Sequence, residues 1–146
     1  MSNIEPPPLI GALLRVPSQV IHRRLIAELN AAGFTDLRLA HMAVLSYPAA
    51  DGYRPIELAE RAGISKQAMN QLLQSLEQLG YIERSVDEAN GRARIVHFTA
   101  RGHAAWDTEL EVLAEIEREW RASLGGDTFD RLKDLLSDLW VSDLIP

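Results

Sequence analysis

The chain has 146 residues, 47% of them hydrophobic and 25% charged, which suits one globular domain with or without an oligomerisation arm and excludes a disordered polymer. Fifteen Lys and Arg stand against 21 Asp and Glu, and the resulting net charge of −6, taken whole, argues against a polyanionic partner. The absence of cysteine excludes disulfides, zinc fingers, thiol catalysis and thiol redox sensing.

The chain order begins with Pro6-Pro7-Pro8, an extended lead-in. Leu9, Ile10, Leu13, Leu14, Val20, Ile21, Leu25, Ile26 and Leu29 then recur at helical steps, with Pro17 expected to kink the helix or mark its regular start and Gly33 to stop it. An apolar segment, Leu37 to Tyr47, ends at Pro48 and the loop around Asp51-Gly52. Pro55 fits the first position of a short helix to Ala62, closed by Gly63. Ser65 is a good N-cap for a helix from Lys66 to about Leu79, whose apolar stripe is Met69, Leu72, Leu73, Leu76 and Leu79. Tyr81 to Val86 and Arg94 to Thr99 read as strands of a hairpin around Asn90-Gly91. Thr99 caps a long helix to about Leu124, with Trp106, Leu110, Leu113, Ile116 and Trp120 expected inward. After Gly125-Gly126 a last helix follows Asp127, carrying Phe129, Leu132, Leu135, Leu136, Leu139 and Trp140.

The charge is unevenly spread along this order. Residues 1–53 carry four basic and four acidic groups, residues 54–101 seven and six, and residues 102–146 four and eleven. The deficit belongs to the last third, and the middle third stays open to an anion. No basic-then-apolar leader is visible, and no run approaches roughly 18 apolar residues, so a cytoplasmic protein without membrane spans is expected.

The middle reads as a helix-turn-helix followed by a wing, with a plain helical hairpin as the other reading of the segment alone. Ala59 allows close helix approach, Gly63 permits the sharp turn, and Leu58, Ala62, Ile64, Met69 and Leu72 supply a small core. The solvent face of the second helix shows Lys66, Gln67, Asn70, Gln71, Gln74 and Gln78, with no acid before Glu77. Amides pair with adenine in the major groove, and Lys reaches guanine or phosphate. The alternative is a merely solvated Gln-rich face. Arg92 and Arg94 near the hairpin tip suit a minor groove, although Asp87 and Glu88 on the same loop also fit a solvated hairpin of mixed charge.

The segments ELAERAGISKQAMNQLLQSLEQLGYIER (Glu57 to Arg84) and DEANGRARIVHFTARG (Asp87 to Gly102) resemble the MarR family of winged-helix transcriptional regulators, and the resemblance spans roughly residues 9–143. Asp87, Arg92, Thr99 and Gly102 match the family's wing. Asn90 replaces a second Asp, removing a carboxylate expected to orient the wing arginine, and Phe98 replaces Leu.

The resemblance implies a mainly α fold, a winged helix-turn-helix over 34–99 with dimerisation helices over 9–33 and 100–146, after an extended lead over 1–8. It implies a homodimer that binds double-stranded DNA at a palindromic operator, with half-sites about 34 Å apart, and acts as a ligand-responsive repressor. The DNA contacts would be Ser65, Lys66, Gln67, Asn70, Gln71, Arg92 and Arg94. Leu13, Leu135, Leu136, Leu139 and Trp140 would lie in the dimer interface, since apolar surface there would otherwise be exposed; a monomer with folded-back terminal helices is the alternative. The family's small, aromatic or anionic effector would meet His22, Arg23, His41, Tyr47 and Trp106. No metal-ligand spacing is present, so neither metal nor cofactor is expected. A winged-helix adaptor that has lost DNA binding is the competing function. An enzyme is not expected, because no phosphate loop or nucleophile motif is found and the carboxylates of Asp107, Glu109, Glu111, Glu115, Glu117 and Glu119 read as ordinary solvated groups.

Overall fold

The computed structural model describes residues 7–86, 88, 89, 91 and 94–144. Among them the order is α1 (Ile10–Ala31), a 3-10 turn (Leu39–His41), α2 (Met42–Leu45), α3 (Pro55–Ala62), α4 (Lys66–Gln78), β1 (Ile82–Val86), β2 (Arg94–Phe98), α5 (Ala100–Leu124) and α6 (Gly126–Trp140). The chain is mainly helical with one antiparallel hairpin. Among the described residues no helix is long and apolar enough to cross a membrane. Compactness divides the chain into a unit ending at Leu110 and a second beginning at Glu111, with α5 contributing to both.

Helix α1 begins seven residues before Pro17 and continues through it, so Pro17 does not mark the helix start. Its C-terminal half buries Leu25 and Leu29, while Leu9, Ile10, Leu13, Leu14, Val16 and Val20 remain exposed. The stop is as the sequence suggests: Gly33 takes φ +104°, and the Phe34 N–H returns to the Leu29 carbonyl at 3.0 Å. The apolar segment after it folds as two short turns that bury Leu37, Met42, Val44 and Leu45. These pack in a core that also holds Leu58, Ala59, Met69, Leu73, Leu76, Tyr81, Ile82 and Val96.

In the wing, Ile82 pairs with Phe98 and Val86 with Arg94. Tyr53 adds a bridge to this hairpin, giving its N–H to Val96 O at 3.0 Å and accepting the Val96 N–H at 2.7 Å. The approach requires glycine at 52. A Cβ there would lie 2.4 Å from Ile95 Cγ2 and 2.7 Å from Val96 O, and φ is +77°. The bridge fastens the entrance of α3 to the wing.

The start of α5 is fixed to the other end of the hairpin. Thr99 Oγ1 donates to the Gly80 carbonyl at 2.6 Å and accepts the Gly102 N–H at 3.1 Å, which is the expected cap. The inward face of α5 agrees with expectation at Ile116, which is buried, and differs elsewhere: Ala105, Glu109 and Val112 are buried, Leu110 is exposed, and Trp106, Leu113 and Trp120 are half-buried. One residue step turns a helix face by about 100°, so a stripe chosen by side-chain size was displaced from the face actually covered. Glu109 is therefore not an ordinary solvated carboxylate. It accepts the Ser46 hydroxyl at 2.7 Å, and burial pushes its carboxyl above the usual range, with the Ser46 bond opposing.

Candidate nucleic-acid interface

The turn between α3 and α4 is built from backbone groups. Gly63 adopts φ +66°, its N–H meets the Glu60 carbonyl at 3.2 Å, and the Ile64 N–H meets the Ala59 carbonyl at 3.1 Å. This is a Schellman closure, and the left-handed residue it needs is the glycine. Ser65 then caps α4, its Oγ accepting the Ala68 N–H at 3.1 Å. Met69, Leu73 and Leu76 are fully buried and anchor α4 from one side.

The opposite side of α4 presents Lys66, Gln67, Asn70, Gln71, Gln74 and Gln78, all exposed, together with Ser65 at the cap. The first acid on the helix, Glu77, is engaged by Arg84 of β1 through Nε at 3.0 Å and Nη2 at 3.3 Å. That pairing holds its carboxyl below the usual range, with a smaller contribution from Arg94. The first three turns of α4 therefore offer amides and one cation to solvent without a competing carboxylate. Arg94 is exposed on β2. Arg92 lies outside the described residues, as do Asp87 and Asn90 of the turn. Lys66, Asn70 and Arg94 line one cleft of about 370 Å³ together with Arg54, Pro55 and Ile56.

A second concavity, of about 810 Å³, lies along α1. Gln19, His22, Arg23, Ile26 and Asn30 face Leu37, Arg38 and Leu39 there. Of the residues expected around an effector, His22 and Arg23 are brought together, and the other three are placed elsewhere. His41 is buried against α4: its Nδ1 accepts the Arg38 N–H at 3.0 Å, and Nε2 meets Ser75 Oγ at 3.2 Å. Burial lowers its pKa, Arg38 adds to the effect, and Asp36 opposes it. Tyr47 packs under the Arg61 guanidinium at 5.6 Å, and Tyr53 shares that cation at 5.2 Å. Trp106 is half-buried on α5.

Comparison with known proteins agrees with this geometry. The profile of the MarR family matches residues 35–93. An HTH-type transcriptional repressor of Mycobacterium tuberculosis is 33% identical over 95 residues, covering 65% of this chain and 67% of that protein. The chain belongs to the MarR family. Among solved structures, a Mycobacterium tuberculosis MarR family protein in complex with salicylic acid is 28% identical with a TM-score of 0.67, over 92% of this chain and 98% of that one. The reduced form of MarR from Escherichia coli has a TM-score of 0.78 at 23% identity over the same shares, a likeness of fold. The molecule is thus a winged-helix transcriptional regulator of the MarR family.

Two features of this MarR-family chain escaped the sequence reading. Arg54 stands beside α4 and the wing where the Tyr53–Val96 bridge joins the entrance of α3 to β2, a placement that no local pattern carries. The second is the bracket Asp36–Tyr81–Arg101. The buried Tyr81 hydroxyl donates to Asp36 Oδ1 at 2.5 Å, Arg101 Nη2 reaches Asp36 Oδ2 at 3.0 Å, and the guanidinium stacks 4.3 Å from the Tyr81 ring centre. No local pattern reveals a contact spanning 65 residues. The apolar residues expected at a dimer interface are exposed in the single chain at Leu13 of α1 and at Leu135, Leu136 and Trp140 of α6, with Leu139 half-buried.

Proposed function

We propose that this MarR-family regulator binds double-stranded DNA in a sequence-specific manner as a homodimer on a palindromic operator and represses transcription until a small effector binds. The observation that carries the reading is the α4 face: Lys66, Gln67, Asn70 and Gln71 exposed and free of acids, on a helix anchored by Met69, Leu73 and Leu76. Gln67 and Asn70 offer paired donors and acceptors to adenine, Lys66 offers charge to guanine or phosphate, and the Ser65 hydroxyl sits at the end of the helix nearest the groove. Arg94 and Arg92 serve the wing. Repressor action is supported by the repressor relatives.

The homodimer is supported by apolar side chains that one chain leaves in water, separately on the first half of α1 and on α6 with the residues after it, where Leu132, Leu135, Leu136, Trp140, Val141 and Leu144 are all exposed. On this reading residues 34–99 read DNA, and 9–33 and 100–146 dimerise. The effector is an anionic aromatic molecule seated along α1, where Arg23 and Arg38 supply charge and Ile26, Leu37 and Leu39 supply apolar wall. One relative, the Mycobacterium tuberculosis MarR family protein whose crystal structures are complexes with salicylic acid and with p-aminosalicylic acid, supports that chemistry.

Selection of duplexes from a random library, followed by affinity measurements on variants, tests the proposal. Gln67→Ala and Asn70→Ala each relax base preference by roughly 1–3 kcal/mol per lost bidentate contact. Failure to enrich any sequence refutes DNA reading and favours the adaptor, for which the near-neutral middle third is the supporting feature.

A further inference from the structure

Arg38 stands between two concavities. It lines the cavity of about 810 Å³ along α1, and also a smaller one of about 370 Å³ that it shares with Thr35, Asp36, His41, Ser75 and Leu79. Its backbone is bonded twice to His41: the Arg38 N–H donates to His41 Nδ1 at 3.0 Å, and the Arg38 carbonyl accepts the His41 N–H at 3.0 Å. The buried His41 ring then bridges to α4. A ring nitrogen that accepts a backbone N–H carries no hydrogen, so the neutral ring has its hydrogen on Nε2 and donates it to Ser75 Oγ at 3.2 Å. Ser75 follows Gln74 of the reading face and lies between Leu73 and Leu76, both fully buried. The segment that carries Arg38 is short and anchored on either side. Asp36 is held by the Tyr81 hydroxyl at 2.5 Å and by Arg101 at 3.0 Å, and Met42, Val44 and Leu45 are buried just beyond His41.

We infer that the chain Arg38–His41–Ser75 couples the effector cavity to the reading helix, with His41 as the positioning residue. The inference rests on the effector and DNA-binding readings above and adds the route between them, which neither assigns. A carboxylate seated on the Arg38 guanidinium pulls on a residue whose backbone is tied to His41 by two bonds, and the ring passes the displacement to Ser75. Hydrogen-bonded chains carry coupling between discrete arrangements, because each bond is either kept or given up. When the Ser75 bond is kept, α4 follows the ring and the pose of Lys66, Gln67 and Asn70 changes. The neutral ring alone can do this, since an imidazolium has no acceptor for the Arg38 N–H. Burial and the Arg38 charge favour that neutral form, and Asp36 opposes them.

The test measures coupling between two ligands. Sodium salicylate is the probe, used with the full-length protein and the duplex it selects from a random library. For the unaltered protein, saturating salicylate weakens DNA binding on the order of tenfold, and by linkage the bound duplex weakens salicylate binding by the same factor. In Ser75→Ala that factor falls toward one, while salicylate binding to the DNA-free protein is unchanged. Ser75→Thr keeps a hydroxyl and restores the factor. His41→Asn retains an acceptor near the Nδ1 position and loses the reach to Ser75, and His41→Gln does the reverse, so each uncouples as well. Arg38→Gln weakens salicylate binding itself. Circular dichroism confirms that each variant is folded. A full factor in Ser75→Ala and in both His41 variants overturns the relay and leaves the effector reading standing. A Ser75→Ala protein that loses salicylate affinity together with the factor also overturns it, because Ser75 then supports the cavity instead of transmitting from it. Salicylate without effect on the unaltered protein overturns the effector reading, and failure to select any duplex overturns the DNA-binding reading; the relay falls with either.

Discussion

Removing the Tyr81 hydroxyl tests the bracket that joins the loop after α1 to the end of α4 and the start of α5. Tyr81→Phe keeps the shape of a fully buried ring and deletes one donor, whose acceptor is Asp36 Oδ1 at 2.5 Å. A hydrogen bond to a charged acceptor contributes about 1.5–3 kcal/mol. The Asp36 side chain is 30% exposed and keeps Arg101 on its other oxygen, so water replaces part of the loss. The expected cost is at the lower end, about 1.5 kcal/mol, or roughly 5 °C in Tm for a chain of this size. Asp36→Ala costs more, because it leaves the Tyr81 hydroxyl buried without an acceptor. The double variant costs no more than Asp36→Ala alone.

The pH dependence has a definite sign. Burial pushes the Asp36 carboxyl up, but the bonds from Tyr81 and Arg101 outweigh it and hold the group below its ordinary 3.8. Its stabilisation is present above that value and is lost as pH falls through the depressed folded value, so the gap between Tyr81→Phe and the unaltered protein narrows on acidification. Thermal melts at matched protein concentration measure both effects. A Tyr81→Phe protein as stable as the unaltered one, or Asp36→Ala no worse than Tyr81→Phe, refutes the reasoning.

Gly102→Ala places a Cβ 2.2 Å from the Tyr81 carbonyl oxygen, which already accepts the Thr99 N–H, so the clash is with fixed backbone; urea midpoints are expected to show a loss of at least about 2 kcal/mol. Glu109→Gln keeps an acceptor for Ser46 and removes a buried charge. Because burial raises the Glu109 pKa, its favourable contribution is complete below 4.5 and is lost as pH rises through the raised value, so the variant gains most at neutral pH, by about 1 kcal/mol in chemical denaturation. Glu77→Gln frees Arg84 beside the reading face. DNA titrations across salt concentrations are expected to show a slope steeper by up to about 0.9, while the half-exposed ion pair contributes under ~1 kcal/mol to stability.

The sequence carried the local signals of this fold and not the long-range ones. Pro55 and Gly63 bound α3 as expected, and Ser65 caps α4 where a short polar side chain precedes an apolar stripe. Those positions are decided by backbone chemistry within a few residues. Pro17 allows a kink or a helix start in sequence, and of these the start is excluded because α1 runs through it. On α5 Ile116 is buried as its spacing suggests, but Trp106 and Leu110 suggest burial by size where the fold covers Ala105 and Glu109 more fully. At the candidate interface the α4 residues followed from one amphipathic pattern. Arg54 did not, since its place depends on a strand bridge to Val96, 43 residues along the sequence. The effector set mixed residues of different surroundings, because aromatic and histidine content does not reveal that His41 is committed to Ser75 and Tyr47 to Arg61.

The central claim is that α4 reads base sequence, and it is tested most directly by the base preferences of Asn70→Ala on the duplex selected by the unaltered protein. The account predicts that substituting the base pairs facing that position then loses its effect, while the remaining preferences and the salt slope are unchanged. Identical preferences in the variant and the unaltered protein at every position, with Gln67→Ala also silent, would contradict it.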